Sequence, residues 1–248
     1  MHPAAVITLH TLPGRADLES LSPFCMKAEV YLKLAGLPYK AVLGDPRKAP
    51  KTKLPVIIDD DGAVIPDSGA IVAHLEKKHG EPLDKGLSDA QRAKAHVIRR
   101  TLEESLYFVM LWSRWADDEG WEKVSRHYFD GLPAPLRLFV PGLVRKKVVG
   151  YAHGQGIGRH TRDEIYAWGK EDLAAIATLM GDGPFAIDDE IRTVDVSLYA
   201  FVANVARVDV DTPVRELVKG DKRLLGHMDR VAEAVASKKK PAEKSTAA

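Results

Sequence analysis

Two hydrophobic periods run along this chain. Residues up to about 80 mix strand and helix patterns, and the remainder keeps to the helical one. "AVITLH" (5–10) is short, apolar and β-branched, which predicts a buried strand. The loop-like "TLPGRADLES" (11–20) follows. Small or apolar residues then recur at Cys25, Ala28, Leu32 and Ala35, the spacing of a helix with one face inward. Ser22 stands at its N-cap and Pro23 at the first helical position, where a missing N–H costs nothing. Gly36 ends it. "YKAVLG" (39–44) predicts a second strand. "DPRKAPKTK" (45–53) is polar, and its prolines make it a poor helix. "LPVIIDDDGAVIPDS" (54–68) predicts a hairpin, with residues 56–58 and 63–65 as arms around Asp61-Gly62. "SGAIVAHLEKKHG" (68–80) predicts a helix capped by Asp67 or Ser68 and stopped at Gly80.

The order strand, helix, strand, loop, hairpin, helix favours a right-handed parallel crossover with antiparallel strands added. That is the layout of an α/β thioredoxin-like domain, spanning 1–80. Residues 81–88 read as a linker, and 89–237 as an all-α helical bundle domain. Within it, 89–118 predicts one long helix bearing Leu102, Leu106, Val109, Trp112 and Trp115. Residues 119–160, with three prolines and several glycines, give no clear period. A helix over 161–181 opens with a Thr161–Glu164 capping box. "VDVSLYAFVANVARV" (194–208) is apolar nearly all round and predicts a core helix, and 222–237 the last one. "KKKPAEKSTAA" (238–248) predicts a disordered tail.

Composition narrows the function classes. The chain has 248 residues, enough for one or two domains with real cores. A net charge of +1 supplies no field to draw it to nucleic acid. One cysteine permits no intramolecular disulfide and suits a reducing, intracellular setting. The N-terminus shows no secretory pattern, and no run approaches the ~18 apolar residues of an integral membrane segment. The expectation is a soluble cytoplasmic protein. Nine histidines show no tight ligand spacing, so no metal is expected. "GQGIGRH" (154–160) lacks the preceding strand and the spacing of a phosphate loop. "LPAPLRLFVPGLVRKK" (132–147) has the apolar and basic character of a membrane-surface segment. Its prolines break any long amphipathic helix, so burial against the bundle is expected.

The chemistry centres on Ser22 and Cys25. The same frame with cysteine at both ends reads as a redox pair opening a helix. Here a hydroxyl takes the first position. A free thiol has a pKa near 8.5, and lowering it by two units requires about 2.7 kcal/mol. A hydrogen bond to the sulfur offers roughly 1.5–3 kcal/mol and a helix N-terminus roughly 0.3–2. Together they can supply most of that shift. Ser22 is thus either a plain N-cap or a donor to a bound thiolate. Cys25 shares a stripe with Ala28 and Leu32, so it either packs as a small hydrophobe or presents a thiol.

A thioredoxin-like domain followed by a helical one resembles the glutathione transferase fold. "KLPVI" resembles that family's cis-proline segment, at Leu54-Pro55, and "PDSGAI" its acidic-Ser turn, at Asp67-Ser68. Taken with the short segment 44–53, "SPFCMKAEVYLKLAGLPYK", "LPAPLRLFVPGLVRKKV", "HGQGIGRHTRDEIYAWGKEDLAAI" and "GDGPFAIDDEIRTVDVSLYAF" are similar to the failed-axon-connections-like, metaxin-related branch. The resemblance covers residues 5–235.

The resemblance implies glutathione as co-substrate, with its thiol against Ser22. The backbone of Leu54, before Pro55, would pair with the cysteinyl amide as an added strand does. Ser68 would hold the γ-glutamyl carboxylate and Asp67 the ammonium. Of Arg47, Lys48, Lys51 and Lys53, Lys53 is best placed for the glycyl carboxylate. The thiolate would attack a small hydrophobic electrophile in a pocket walled by Tyr107, Phe108, Trp112 and Trp115, unless that aromatic stripe is core. A detoxifying role follows, and homodimers are common in this fold. Two alternatives stand: a non-catalytic, metaxin-like binding or scaffold protein, and a glutathione-dependent reductase using Cys25. In omega-like relatives the reactive cysteine holds the first position of the frame instead. Segment 44–53 is shorter than the family's usual helical segment, which weakens the glutathione affinity expected. "EIRTVDVSLYAF" (190–201) resembles the family's buried capping motif with Arg192 in place of Thr or Ser, so Thr193 is expected to cap, with Asp195 close behind.

Overall fold

The computed structural model describes residues 6–15, 18–129 and 131–238. Strands β1 (Ile7–Thr11) and β2 (Tyr39–Leu43) run parallel because helix α1 (Pro23–Leu34) crosses between them. Strands β3 (Val56–Ile58) and β4 (Val64–Pro66) form the hairpin, and β3 lies antiparallel to β1. The sheet order is β2-β1-β3-β4. Leu9 and Ile57 face each other across β1 and β3 and are fully buried. Val30, Tyr31 and Leu32 of α1, with Ile71 and Leu75 of α2 (Ser68–His79), bury the sheet. Between β2 and β3 the polar segment makes only a 3-10 turn, Pro46–Lys48.

The long helix expected over 89–118 runs to Trp115 and is interrupted by a π turn. It divides into α3 (Asp89–Arg100), a wide π-helical turn (Thr101–Leu106) and α4 (Tyr107–Trp115). Such a turn inserts a residue into the helical register and marks functional sites often. Glu103 lies within it, nearly buried. The segment without a clear period folds as α5 (Asp118–Phe129), α6 (Ala134–Arg137) and α7 (Val140–Gln155). Then come α8 (Arg162–Met180), α9 (Thr193–Arg207), α10 (Pro213–Gly220) and α11 (Lys222–Ser237). Helix α9 is buried from Val194 to Ala206 and packs on α1, joining the two halves through one core.

Two expectations need correction. Residues 132–147 are not buried against the bundle: Leu136 is 48% exposed, Leu138 77%, Phe139 69% and Leu143 68%. A four-residue helix bounded by prolines leaves these side chains with nothing to pack against. Thr193 does not cap α9 either, because its N–H and hydroxyl donate to Asp84 at 2.9 and 2.6 Å. Arg192 is the N-cap residue, and the Asp195 carboxylate reaches back to accept its N–H at 2.8 Å. Asp195 also accepts from Ala186 N–H and meets buried His227 at 2.8 Å. Arg192 in turn donates to the carbonyls of Leu83 and Lys85, so residues 83–85 are held to the start of α9. The tail expected over 238–248 lies, apart from Lys238, outside the described residues.

Candidate functional site

The first turn of α1 opens on a cleft of about 800 Å³. Ser22 is extended (φ −98, ψ 119), and its Oγ accepts the Cys25 N–H at 3.4 Å. Its own N–H donates to Ser20 Oγ. A hydroxyl carries one proton beside its lone pairs, and this bond leaves that proton for the Cys25 sulfur or for a ligand. Positive potential converges here from the helix end and from Arg114, a nearly buried cation that also lines the cleft. Arg114 donates to the carbonyls of Leu21 and Asn204 at 3.3 and 2.7 Å.

Beside Ser22 lies the Leu54-Pro55 bond, which is cis. The Pro55 carbonyl accepts the Asp67 N–H at 3.1 Å, tying this segment to the start of α2. Asp67 adopts φ 85, a conformation rare outside glycine, and caps α2 by accepting from Gly69 and Ala70 through one carboxylate oxygen. Ser68 follows at the first helical position, and Lys53 stands beside Leu54 at the rim.

Opposite this face, α3 and the π turn supply Arg99, Arg100, Glu103 and Glu104. Arg100 pairs with Glu104 at 2.9 Å. Glu103 takes the buried Lys27 Nζ at 2.5 Å, a contact from α1 to the helical domain. Desolvation pushes Lys27 below the ordinary lysine range, against the pull of Glu103. Aromatic side chains close the deep end. Phe24 packs edge-on to Tyr107 at 4.8 Å, and Tyr107 to Phe108 at 5.2 Å. Burial pushes the Tyr107 hydroxyl up to about 12, with a smaller contribution from Tyr128. It therefore stays protonated. Trp115, Tyr128 and, from α7, Val148 and Tyr151 complete the wall.

Of the residues singled out in the sequence, Ser22, Lys53, Leu54, Pro55, Asp67, Ser68, Tyr107, Phe108 and Trp115 face this one cleft. Trp112 does not: it packs edge-on against Tyr166 at 5.8 Å. Cys25 is fully buried. Burial pushes its thiol up, outweighing hydrogen bonds to the Leu12 backbone and to the hydroxyls of Ser22, Thr11 and Ser20. Sequence reasoning missed Arg99, Arg114, Glu103 and Tyr128. The register break at the π turn hides the inward face of 99–104, although Lys27 amid an apolar stripe signals a buried acidic partner. At the hairpin turn, Asp59, Asp60 and Asp61 gather their carboxylates, and Lys78 pairs with all three.

A family model described as the glutathione S-transferase N-terminal domain matches residues 23–120, and one described as the glutathione S-transferase C-terminal domain matches 169–231. The isoprene-epoxide–glutathione S-transferase of Rhodococcus sp. (strain AD45) is 30% identical over 208 residues, 81% of this chain and 87% of that protein. Failed axon connections of Drosophila melanogaster is 30% identical over 240 residues, 91% of this chain and 57% of the relative. Metaxin-1 of Macaca fascicularis is 25% identical over 81% of this chain and 65% of its own. This chain thus spans less than two thirds of the last two relatives. Among solved structures, a glutathione transferase from Phanerochaete chrysosporium, GSTFuA3, shares the fold with a TM-score of 0.65 at 18% identity, covering 94% of this chain and 98% of its own.

Proposed function

The chain belongs to the glutathione S-transferase family, in the branch related to failed axon connections and metaxin, and from that premise we propose that it transfers glutathione to a small apolar electrophile. The observation that carries this reading is the Ser22 hydroxyl. It stands at the amino end of α1, next to the Cys25 sulfur, in a cleft shared with cis Pro55 and the Asp67-Ser68 turn, where a bound thiolate would compete for its proton. Glutathione would lie along Leu54, its γ-glutamyl end at Asp67-Ser68 and its glycyl end toward Lys53. Its thiol proton would pass to water, and Ser22 would donate a hydrogen bond to the thiolate left behind. Arg114 and the α1 dipole favour the same charge. The sulfur would then attack the electrophile's carbon, forming the S–C bond while the electron pair of the broken bond leaves with the departing group. Tyr107, held protonated, can donate to an oxygen or halide that takes up that charge. Fully buried Cys25 counts against a reductase acting through it.

A non-catalytic binding role on the same fold is the second reading, favoured by the single 3-10 turn in segment 44–53. Two measurements separate the readings. The transferase reading expects retention on immobilised glutathione that falls in Ser68→Ala. It also expects conjugation of a general aryl halide that falls ~10²-fold or more in Ser22→Ala. Retention without conjugation leaves the non-catalytic reading, and a chain that ignores glutathione at millimolar concentration defeats the transferase reading and leaves a scaffold.

A further inference from the structure

The segment that was expected to be buried stands out from the molecule. Leu136, Leu138, Phe139 and Leu143 are between 48% and 77% exposed, and they lie on α6, its junction with α7 and the first turn of α7. Large apolar side chains clustered on a surface mark an interaction site. Phe139, Leu143 and Lys147 recur at intervals of four, so they share one face of α7, with Lys146 beside them. Lys146 and Lys147 are exposed. From 131 to 162 the sequence carries no aspartate or glutamate, while it holds Arg137, Arg145, Lys146, Lys147, Arg159 and Arg162. Arg145 is spent on Asp118 and on the carbonyls of Trp115 and Ala116, which leaves Arg137, Lys146 and Lys147 as the exposed cations of the segment. Among the described residues no helix is long and apolar enough to cross a membrane.

We propose that this tip, Leu136 to Lys147, docks on the surface of an anionic lipid bilayer. The apolar side chains would enter the acyl boundary while the lysines meet acidic headgroups, the division of labour of an interfacial segment. A second copy of the chain is the poorer occupant. A two-fold contact centred on this patch would bring Lys146 and Lys147 against themselves with no acidic residue of the segment to answer them. The same helix α7 carries Tyr151 and Gly154 into the cleft lining. Docking therefore sets the cleft close to the phase in which apolar electrophiles concentrate. The proposal stands independently of glutathione chemistry.

The test is flotation of the full chain with vesicles of phosphatidylcholine carrying about a third phosphatidylserine, against pure phosphatidylcholine, at low salt. The wild type should float with the anionic vesicles and not with the neutral ones. The double variant Leu138→Ser/Phe139→Ser should lose about tenfold or more in partitioning. The variant Lys146→Glu/Lys147→Glu should lose as much, by about tenfold or more. All four positions are exposed, so helical content and melting temperature should not move. Flotation unchanged in both variants, none in the wild type, or a wild-type dimer that Leu138→Ser/Phe139→Ser splits into monomers, each overturns the proposal.

Discussion

Glu103→Gln tests how the two domains are joined behind the cleft. Lys27 is 1% exposed and Glu103 8%, and their contact spans 2.5 Å. Glutamine keeps the shape and one acceptor but removes the negative charge that compensates the buried ammonium. Breaking a buried ion pair by deleting one partner costs about 3–5 kcal/mol. The retained acceptor places this change at the lower end, about 3 kcal/mol, which is a fall of roughly 6–12 °C in melting temperature for a chain of this size. The pH dependence follows from the direction of the Lys27 shift. Its folded pKa lies below the unfolded value near 10.4, so between the two the unfolded chain binds more protons and stability rises with pH. Without Glu103 the folded pKa falls further and that window widens downward. Glu103→Gln should therefore regain stability as pH is raised toward the unfolded value, over a wider range than the wild type, by up to about 1.4 kcal/mol per unit inside the window. Calorimetric melting across that range is the assay. Lys27→Met combined with Glu103→Leu should recover most of the loss, because no buried charge then remains. A Glu103→Gln protein as stable as the wild type, or a double variant no better than the single, would refute the reasoning.

Two further outcomes follow from packing. Cys25, fully buried and with its thiol pushed up, should resist alkylation in the native protein and react at the unfolding rate, while Cys25→Ala keeps glutathione-dependent conjugation; rapid native labelling would contradict this burial. A Cβ at Gly120 would sit 1.7 Å from the Ser113 carbonyl oxygen, so Gly120→Ala must part α4 from α5, at a cost of about 1–3 kcal/mol or more in urea unfolding; an unchanged midpoint would contradict the contact.

Local chemistry made the first domain readable in advance. Pro23, Gly36, the Asp61-Gly62 turn and Gly80 are punctuation whose effect is decided within a few residues. The same holds for the Ser22, Pro55 and Asp67-Ser68 positions, because each is an element end. The helical domain was less readable where tertiary contacts decide. Nothing local to 99–104 announces a π turn, which accompanies the burial of Glu103 against Lys27, 76 positions away in sequence. Trp112 and Trp115 share a stripe, yet the helix turns one toward Tyr166 and the other into the cleft. Thr193 has the chemistry of a cap but is claimed by Asp84 from the opposite domain's exit. Residues 132–147 carry a core-like composition, and only the fold shows that no core reaches them.

The account rests on a thiol made acidic at Ser22. Ultraviolet titration of the thiolate of bound glutathione, with wild type and Ser22→Ala side by side, reads that directly. The account predicts an apparent pKa about two units below the ordinary thiol value near 8.5 in the wild type, and a return by about one to two units in the variant. Bound glutathione that titrates like the free tripeptide, or identically in the two proteins, would contradict it.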